Sequence, residues 1–406
     1  MHLRSTAVLL TGVTLVAIFA GTRVSADEEI RPTKREKPSL VNDRTQRAID
    51  GALRWLADHQ NTGGHQNTKG KAKGSWNGHV GFKINDGYRL QPMDQRMEGL
   101  PHLGVTSLAA MAFLSGGHLP GQGPYGKQTR AALDFVLRNV QENGFITAYG
   151  TRMYSHAFSL LYLTEVYGMT GDPKLREKLD KAVEFTYRSQ NKEGGWRYAP
   201  LAQDSDMSIT VCQVVALREA RNIGIRVPRE TIDKALKYVM ASAVTGPSNP
   251  QRGAFLYQHE SVPFNRNSFA LTAAGITTIH QAGLYTQADI DRYCHKEGIQ
   301  APRLTDCLQY LNETYEPIWR DYSNHYFFFY GNYYATQAWY TRGGRQWRRW
   351  YTRIRDDLIS VARHRRGTDG KRRTQWESRH VGDAYATAVA AIILQVPNHY
   401  LPIFQR

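Results

Sequence analysis

Two kinds of helical segment alternate along most of this chain, and that alternation limits its fold more than any other feature. One kind is amphipathic with its charges on one face, as in "RAIDGALRWLADHQ", "LREKLDKAVEFTYRSQ" and "WRRWYTRIRDDLISVARH". The other is charge-poor and rich in small residues, as in "GVTSLAAMAFL", "SFALTAAGITTIHQAG" and "DAYATAVAAIILQ". Apolar residues recur with the 3.6-residue helical period in nearly all of them, and strand-like alternation is scarce. The charge-poor segments begin near Val105, Ser155, Ser208, Ser268, Tyr334 and Ala386, at intervals of fifty to sixty-six residues. A helix poor in charge on every side is buried on every side, whereas an amphipathic one covers it from outside. Six such pairs predict an all-α (α/α)6 toroid, six inner helices ringed by six outer ones, closed because closure buries both end faces.

The turns inside the pairs repeat as well. They read "QNKEGGW" (190–196), "QENGF" (141–145) and "QRGAF" (251–255), with an interrupted version at 60–76. A glycine after a helix end supplies the left-handed residue that stops it. The glutamine amide can satisfy helix-end groups, and the aromatic then packs against the neighbouring pair.

"QNKEGGW" resembles the Gln–Trp repeat of squalene–hopene cyclases. The paired-helix layout resembles the wider terpenoid cyclase and protein prenyltransferase superfamily, and the ending "YATAVAAIILQVPNHYLPIFQR" looks like exported bacterial proteins with prenyltransferase/squalene-oxidase-type repeats. The resemblance runs from about Asp43 to the end and implies an isoprenoid or other apolar ligand in a central cavity. It also implies where catalysis would sit, since class II cyclases open an inner helix with D-x-D-D and use the middle acid as proton donor. Here "DSDMSIT" offers Asp204 and Asp206, with Met207 in place of the third acid. Asp206 reads more readily as the N-cap of the helix that follows. The zinc site of prenyltransferases has no counterpart, as convergent N, S or O ligands cannot be assembled, so no metal or cofactor is expected.

His156 and His380 are the histidines best placed to face a cavity. Tyr334 and Tyr385 fall at equivalent positions of successive repeats near its mouth, and Trp196, Tyr257 and Asp383 complete the expected cavity set. Ten aromatic residues in the nineteen from 322 to 340 suit core, stacking on a sugar or polyprenyl chain, or shelter for a cation. Within that run "FFFY" is expected to be core and the later tyrosines cavity lining. Enzyme and non-catalytic binding protein both fit these features.

The remaining segments bear on export and partners. Arg4, an apolar run over 9–20 and "VSA" at 24–26 make residues 1–26 a secretory signal peptide, the alternative being an N-terminal membrane anchor. A charged linker over 27–42 precedes the toroid domain, 43–406. The formal charge is +16. Much of it lies between Arg342 and Arg373, where twelve basic residues face three acids. That stretch reads as the solvated face of a helix or as a surface for an anionic polymer, lipid or protein partner; export argues against nucleic acid. Three cysteines in an exported chain suggest a Cys294–Cys307 disulfide with Cys212 left over. The glycine-rich stretch 62–104, with nine glycines, is too long for an idle connection and reads as a lid, a binding loop or a surface insertion.

Overall fold

The computed structural model describes residues 40–63, 71–79, 99–259 and 268–405. The expected signal peptide, most of the linker and most of the glycine-rich stretch lie outside those residues. Thirteen helices are described. The outer members are α1 (Asp43–Asp58), α3 (Gly126–Arg138), α5 (Arg176–Arg188), α7 (Arg229–Ala241), α10 (Leu304–Arg320) and α12 (Gly344–Val361). The inner members are α2 (Leu103–Leu114), α4 (Met153–Thr170), α6 (Met207–Asn222), α8 (Phe269–Gln281), α11 (Phe328–Arg342) and α13 (Asp383–Gln395). Each inner helix packs on the next, and α13 packs back on α2, so the ring is closed. This is the (α/α)6 toroid that the alternation predicts. Every residue of α2 is buried, whereas α12 buries Trp347, Trp350, Tyr351, Ile354, Leu358 and Ile359 and turns Arg345, Arg348 and Arg349 to solvent.

One register explains the repeated turns. Gly74, Gly144, Gly194 and Gly253 all adopt φ near +90°. A Cβ on any of them would lie 2.0–2.6 Å from a backbone atom of the next outer helix. The turn amides of Trp76, Trp196, Phe255 and Trp376 donate to Thr106, Thr210, Thr272 and Thr387 of the following inner helix at 3.0–3.1 Å. The indoles of Trp76, Trp196 and Trp376 donate back to the preceding outer helix at 2.7–2.8 Å. Gln60 and Gln190 behave as expected, each amide bridging the turn glycine's carbonyl and the next outer helix.

In the second repeat the residue at the tryptophan position is Ile146, one place beyond the Phe145 suggested by sequence. Its amide donates to His156 Nδ1 at 3.1 Å.

Three further sequence expectations are corrected. Cys294 and Cys307 are free thiols, buried with Cys212, on α9 (Gln287–Glu297) and α10. They pack as small apolar side chains, and burial pushes them up to about 11 and about 12. The segment bearing Cys294, which reads in sequence as flanking a short irregular insertion, is itself helical, opened by a Thr286–Asp289 capping box.

The third concerns the basic stretch. It leaves the helix at Val361 and continues as an antiparallel hairpin, β3 (Arg363–Arg366) with β4 (Arg372–Gln375); an earlier short pair joins β1 (Asn77–Gly78) to β2 (Leu100–Pro101). Much of its charge is matched within the protein: Arg373 pairs with Asp58 and Asp369, Arg353 with Glu316, Arg363 with Glu377.

No helix among the described residues is long and apolar enough to cross a membrane.

Candidate functional site

All inner helices follow a turn from an outer helix, so their N-termini share one end of the barrel. At that end Tyr198, Ser208, Tyr257, Ser268, Ala270, Leu271, Phe327 and Tyr330 line an open cleft with about 380 Å³ of empty space, including that open to solvent. Tyr198 and Tyr257 sit two residues past the turn aromatics of successive repeats, "WRY" and "FLY". Their carbonyls accept the first amides of α4 and α6, Met153 N and Met207 N. That backbone docking sets both rings on the rim, and their hydroxyls meet at 2.6 Å.

Beneath them Asp206 is fully buried. It caps α6, accepting from Ile209 N at 2.9 Å and from Ser208 Oγ at 2.5 Å. Its Oδ2 faces Arg197 at 3.9 Å. Burial raises the Asp206 pKa, opposed by the Ser208 and Ile209 hydrogen bonds, the Arg197 charge and the Tyr257 hydroxyl. Arg197 also pairs with Asp204 at 3.4 Å and lies over the Tyr198 and Tyr257 rings. Asp204 is exposed, and Gln258 donates to it.

Below the cleft the barrel axis is filled. Tyr154 and Phe158 of α4 touch Tyr330 and Tyr333 of α11 across the ring, with centroids 6.3 Å apart in each pair. Cys212 of α6 reaches the Tyr334 hydroxyl at 3.2 Å. Helices α4 and α6 are not ring neighbours of α11, so these contacts pass through the axis. An open central cavity is therefore replaced by an aromatic plug, with Tyr334 inside it, fully buried. "FFFY" is divided. Phe328 and Phe329 are core, Phe327 lines the cleft, and Tyr330 does both, donating to the Ser208 carbonyl at 2.9 Å.

Of the residues predicted to line a cavity, Tyr257 lies on the cleft. Trp196 is sealed in its turn. His156 is fully buried between Ile146 N and Thr186 Oγ1, doing in its repeat what a threonine does in four others. Because Thr186 Oγ1 donates to Ala182 O, it accepts from His156 Nε2–H, which leaves Nδ1 to accept the turn amide. Burial pushes this imidazole down to about 3, so it stays neutral. His380 is held by the Asn324 carbonyl at 2.7 Å and packs on Tyr326. Asp383 accepts from Gln375 and Ser378 at 3.3–3.4 Å, and Tyr385 packs edge-on to Phe329.

Tyr198, Arg197, Ser208 and Tyr330 were missed by residue-type reasoning. The W-x-Y and F-x-Y spacing was the available signal for Tyr198. Among the described residues no group of three or more His, Cys, Asp or Glu could hold a metal ion.

No protein-family model matches the sequence, and no curated protein matches it in sequence. Solved structures do resemble it in fold. An inactive variant of an α-1,6-mannanase of Salegentibacter sp., in complex with α-1,6-mannotriose, superposes with a TM-score of 0.52 at 9% identity, over 87% of this chain and 98% of that one. A glycoside hydrolase family 76 mannosidase from Bacteroides thetaiotaomicron gives 0.53 at 10% identity, over 87% and 97%. The cellobiose 2-epimerase of Spirochaeta thermophila gives 0.53 at 12% identity, over 90% and 98%. At such identities the likeness shows the fold alone.

It corrects the resemblance drawn from the Gln–Trp-like turn: the neighbours are carbohydrate-active toroids and not terpenoid cyclases or prenyltransferases. The turn motif belongs to the geometry of paired helices and carries no chemistry of its own. The expected isoprenoid ligand falls with that resemblance, since the cavity it needed is filled. The ligand named in the mannanase structures is a mannooligosaccharide, and the exposed Arg345, Arg348 and Arg349 of the basic stretch stay compatible with an anionic polymer.

Proposed function

We propose that this chain is an exported carbohydrate-binding toroid whose cleft takes a neutral oligosaccharide. The observation that carries this reading is the convergence of Tyr198, Tyr257, Phe327 and Tyr330 with the hydroxyls of Ser208 and Ser268. Aromatic faces cover the apolar C–H faces of a sugar ring, while tyrosine and serine hydroxyls exchange hydrogen bonds with its hydroxyls. Mannooligosaccharide binding by a protein of the same fold supports the ligand class. Export is supported by the leader-like composition of residues 1–26.

Binding is favoured over hydrolysis. Glycoside hydrolysis generally needs two carboxyl groups roughly 5–10 Å apart across the bond, and the described cleft lining has no carboxylate. Asp206, the acid beneath it, is committed to capping α6.

The test is calorimetric titration of the mature protein with α-1,6-mannotriose and with cellobiose, alongside Tyr257→Ala. Binding that weakens at least about fivefold in the variant supports the reading, since one stacked ring contributes about 1 kcal/mol or more. No heat with either sugar would sink it. Release of new reducing ends, lost in Asp206→Asn, would make the protein a hydrolase.

A further inference from the structure

The opposite end of the barrel holds a second buried acidic feature with no part in the cleft. Glu165 lies near the C-terminal end of α4 and Glu219 near that of α6, neighbours in the inner ring. Their exposures are 0% and 2%. Glu165 Oε1 accepts the amide of Ile403 at 3.3 Å, from the single turn Pro402–Phe404 that ends the described chain. Glu219 Oε1 accepts from Asn222 Nδ2 at 3.1 Å. The other oxygen of each, Oε2, is buried with no hydrogen-bond partner, and among the described residues neither carboxylate forms a salt bridge.

Two ionised carboxylates cannot share such a site. Burial without a cation disfavours charge on each, and each charge disfavours the other. A single proton answers both problems, since a protonated Oε2 of one group becomes the donor that the free Oε2 of the other lacks.

We propose that Glu165 and Glu219 form a buried proton-sharing carboxyl pair that keeps the C-terminal turn seated on the closed end of the barrel.

The groups around the pair agree. Burial first, then the Glu219 charge, raises Glu165 well above the usual carboxylate range, while the Ile403 amide opposes. Burial raises Glu219 to about 7 against the pull of Asn222 and of the Arg218 charge. From α11 only the Tyr333 phenol feels both carboxylates; burial and their charge raise it, so it stays neutral.

The sign of the linkage follows. A carboxyl whose folded pKa exceeds its unfolded value stabilises the fold fully at pH below the unfolded value, and that contribution is lost as pH rises through the folded value. For Glu219 the window runs from the ordinary 4.5 to about 7. Across it the folding constant falls about tenfold per pH unit for one proton held. Above it the buried pair carries a negative charge with no salt bridge to balance it, which weakens the seat of the turn; the turn is otherwise held by the Tyr340 hydroxyl on the Phe404 carbonyl at 2.7 Å and by apolar packing.

The experiment uses the full mature chain, with amide exchange of residues 396–405 and the infrared carboxylic-acid band both followed from about pH 5 to about pH 8. Wild type should show a protonated carboxyl band near neutral pH, and exchange at the C-terminal turn should rise more than about tenfold as the band disappears. Glu219→Gln should remove the part of the band that titrates through about 7 and flatten the exchange profile; Glu165→Gln, made in parallel, guards against one variant failing to fold. A wild-type profile unchanged in both variants, or no protonated band at any pH, overturns the proposal. So does a calcium- or sodium-dependent rise in Tm that Glu219→Gln abolishes, because the site would then hold a metal ion.

Discussion

Asp206 at the cleft end and the Glu165–Glu219 pair at the closed end are buried to the same degree but provided for differently. Asp206 has a backbone amide, a serine hydroxyl and an arginine within reach. Glu165 and Glu219 have one neutral donor each and, among the described residues, no salt bridge. Burial raises all three, yet only Asp206 has strong opposing contributions from both a charge and a helix N-terminus. Depth does not decide how a buried acid behaves; the supply of donors does. The cleft end is held open by rigid, donor-rich turns, whereas the closed end is sealed by a short C-terminal turn and a proton.

Four tests sharpen or break this contrast. The largest effect is expected at the glycine turns of the cleft end. Gly144→Ala places a Cβ about 2.1 Å from the Lys181 carbonyl at φ +89° and should cost about 3 kcal/mol or more. Gly171→Ala, which ends α4 at the other end with nothing within 4 Å, should cost only about 1 kcal/mol. Denaturant midpoints measure both, and equal losses would show that the turns are not the rigid element.

Next comes Asp206→Ala, expected to destabilise by about 2 kcal/mol through loss of the cap. Asp206→Asn should retain most of the stability, since an amide oxygen still accepts from Ile209 N. If the two variants unfold at the same denaturant concentration, Asp206 is held by its charge and not by its cap.

Tyr257→Phe removes the 2.6 Å contact to Tyr198 and should cost about 1 kcal/mol or less. It should weaken sugar binding less than Tyr257→Ala does, because the ring remains. Calorimetry separates them, and an identical loss would assign the effect to the hydroxyl.

The smallest expected effect is that of Glu219→Gln near pH 5, where the pair is protonated and the variant should match wild type within about 0.5 kcal/mol. The difference should open as pH rises from the ordinary 4.5 to about 7. Thermal melts at several pH values test this, and a constant offset would deny the closed end its titrating group.

Much of the architecture was legible because it rests on periodicity. Inner helices packed on both sides must be small and apolar, and outer ones must be amphipathic, so the segments beginning near Val105 and Ala386 betray α2 and α13 directly. The turn glycines were equally readable, because a position with φ near +90° against a neighbouring carbonyl tolerates little else. Where periodicity stops, so does the reading. The register of Ile146, the pairing of its amide with His156, and the hairpin of β3 and β4 depend on hydrogen bonds between segments that no local pattern announces.

The site was readable only in part, for the same reason. Asp206 as a cap follows from its place before a helix, and Tyr257 from its place after a turn. Whether Tyr334 lines a cavity or fills one depends on Tyr154, Phe158 and Cys212 reaching it or its neighbours from helices far apart in sequence. By itself the sequence determined a closed ring of paired helices, because burial on one or on all sides writes itself into side-chain type. Only the tertiary structure decided that the ring's axis is solid, that the cleft sits above it, and that two glutamates of adjacent helices are buried near its foot. Those outcomes depend on contacts across the barrel, where distance in the chain carries no information about distance in space.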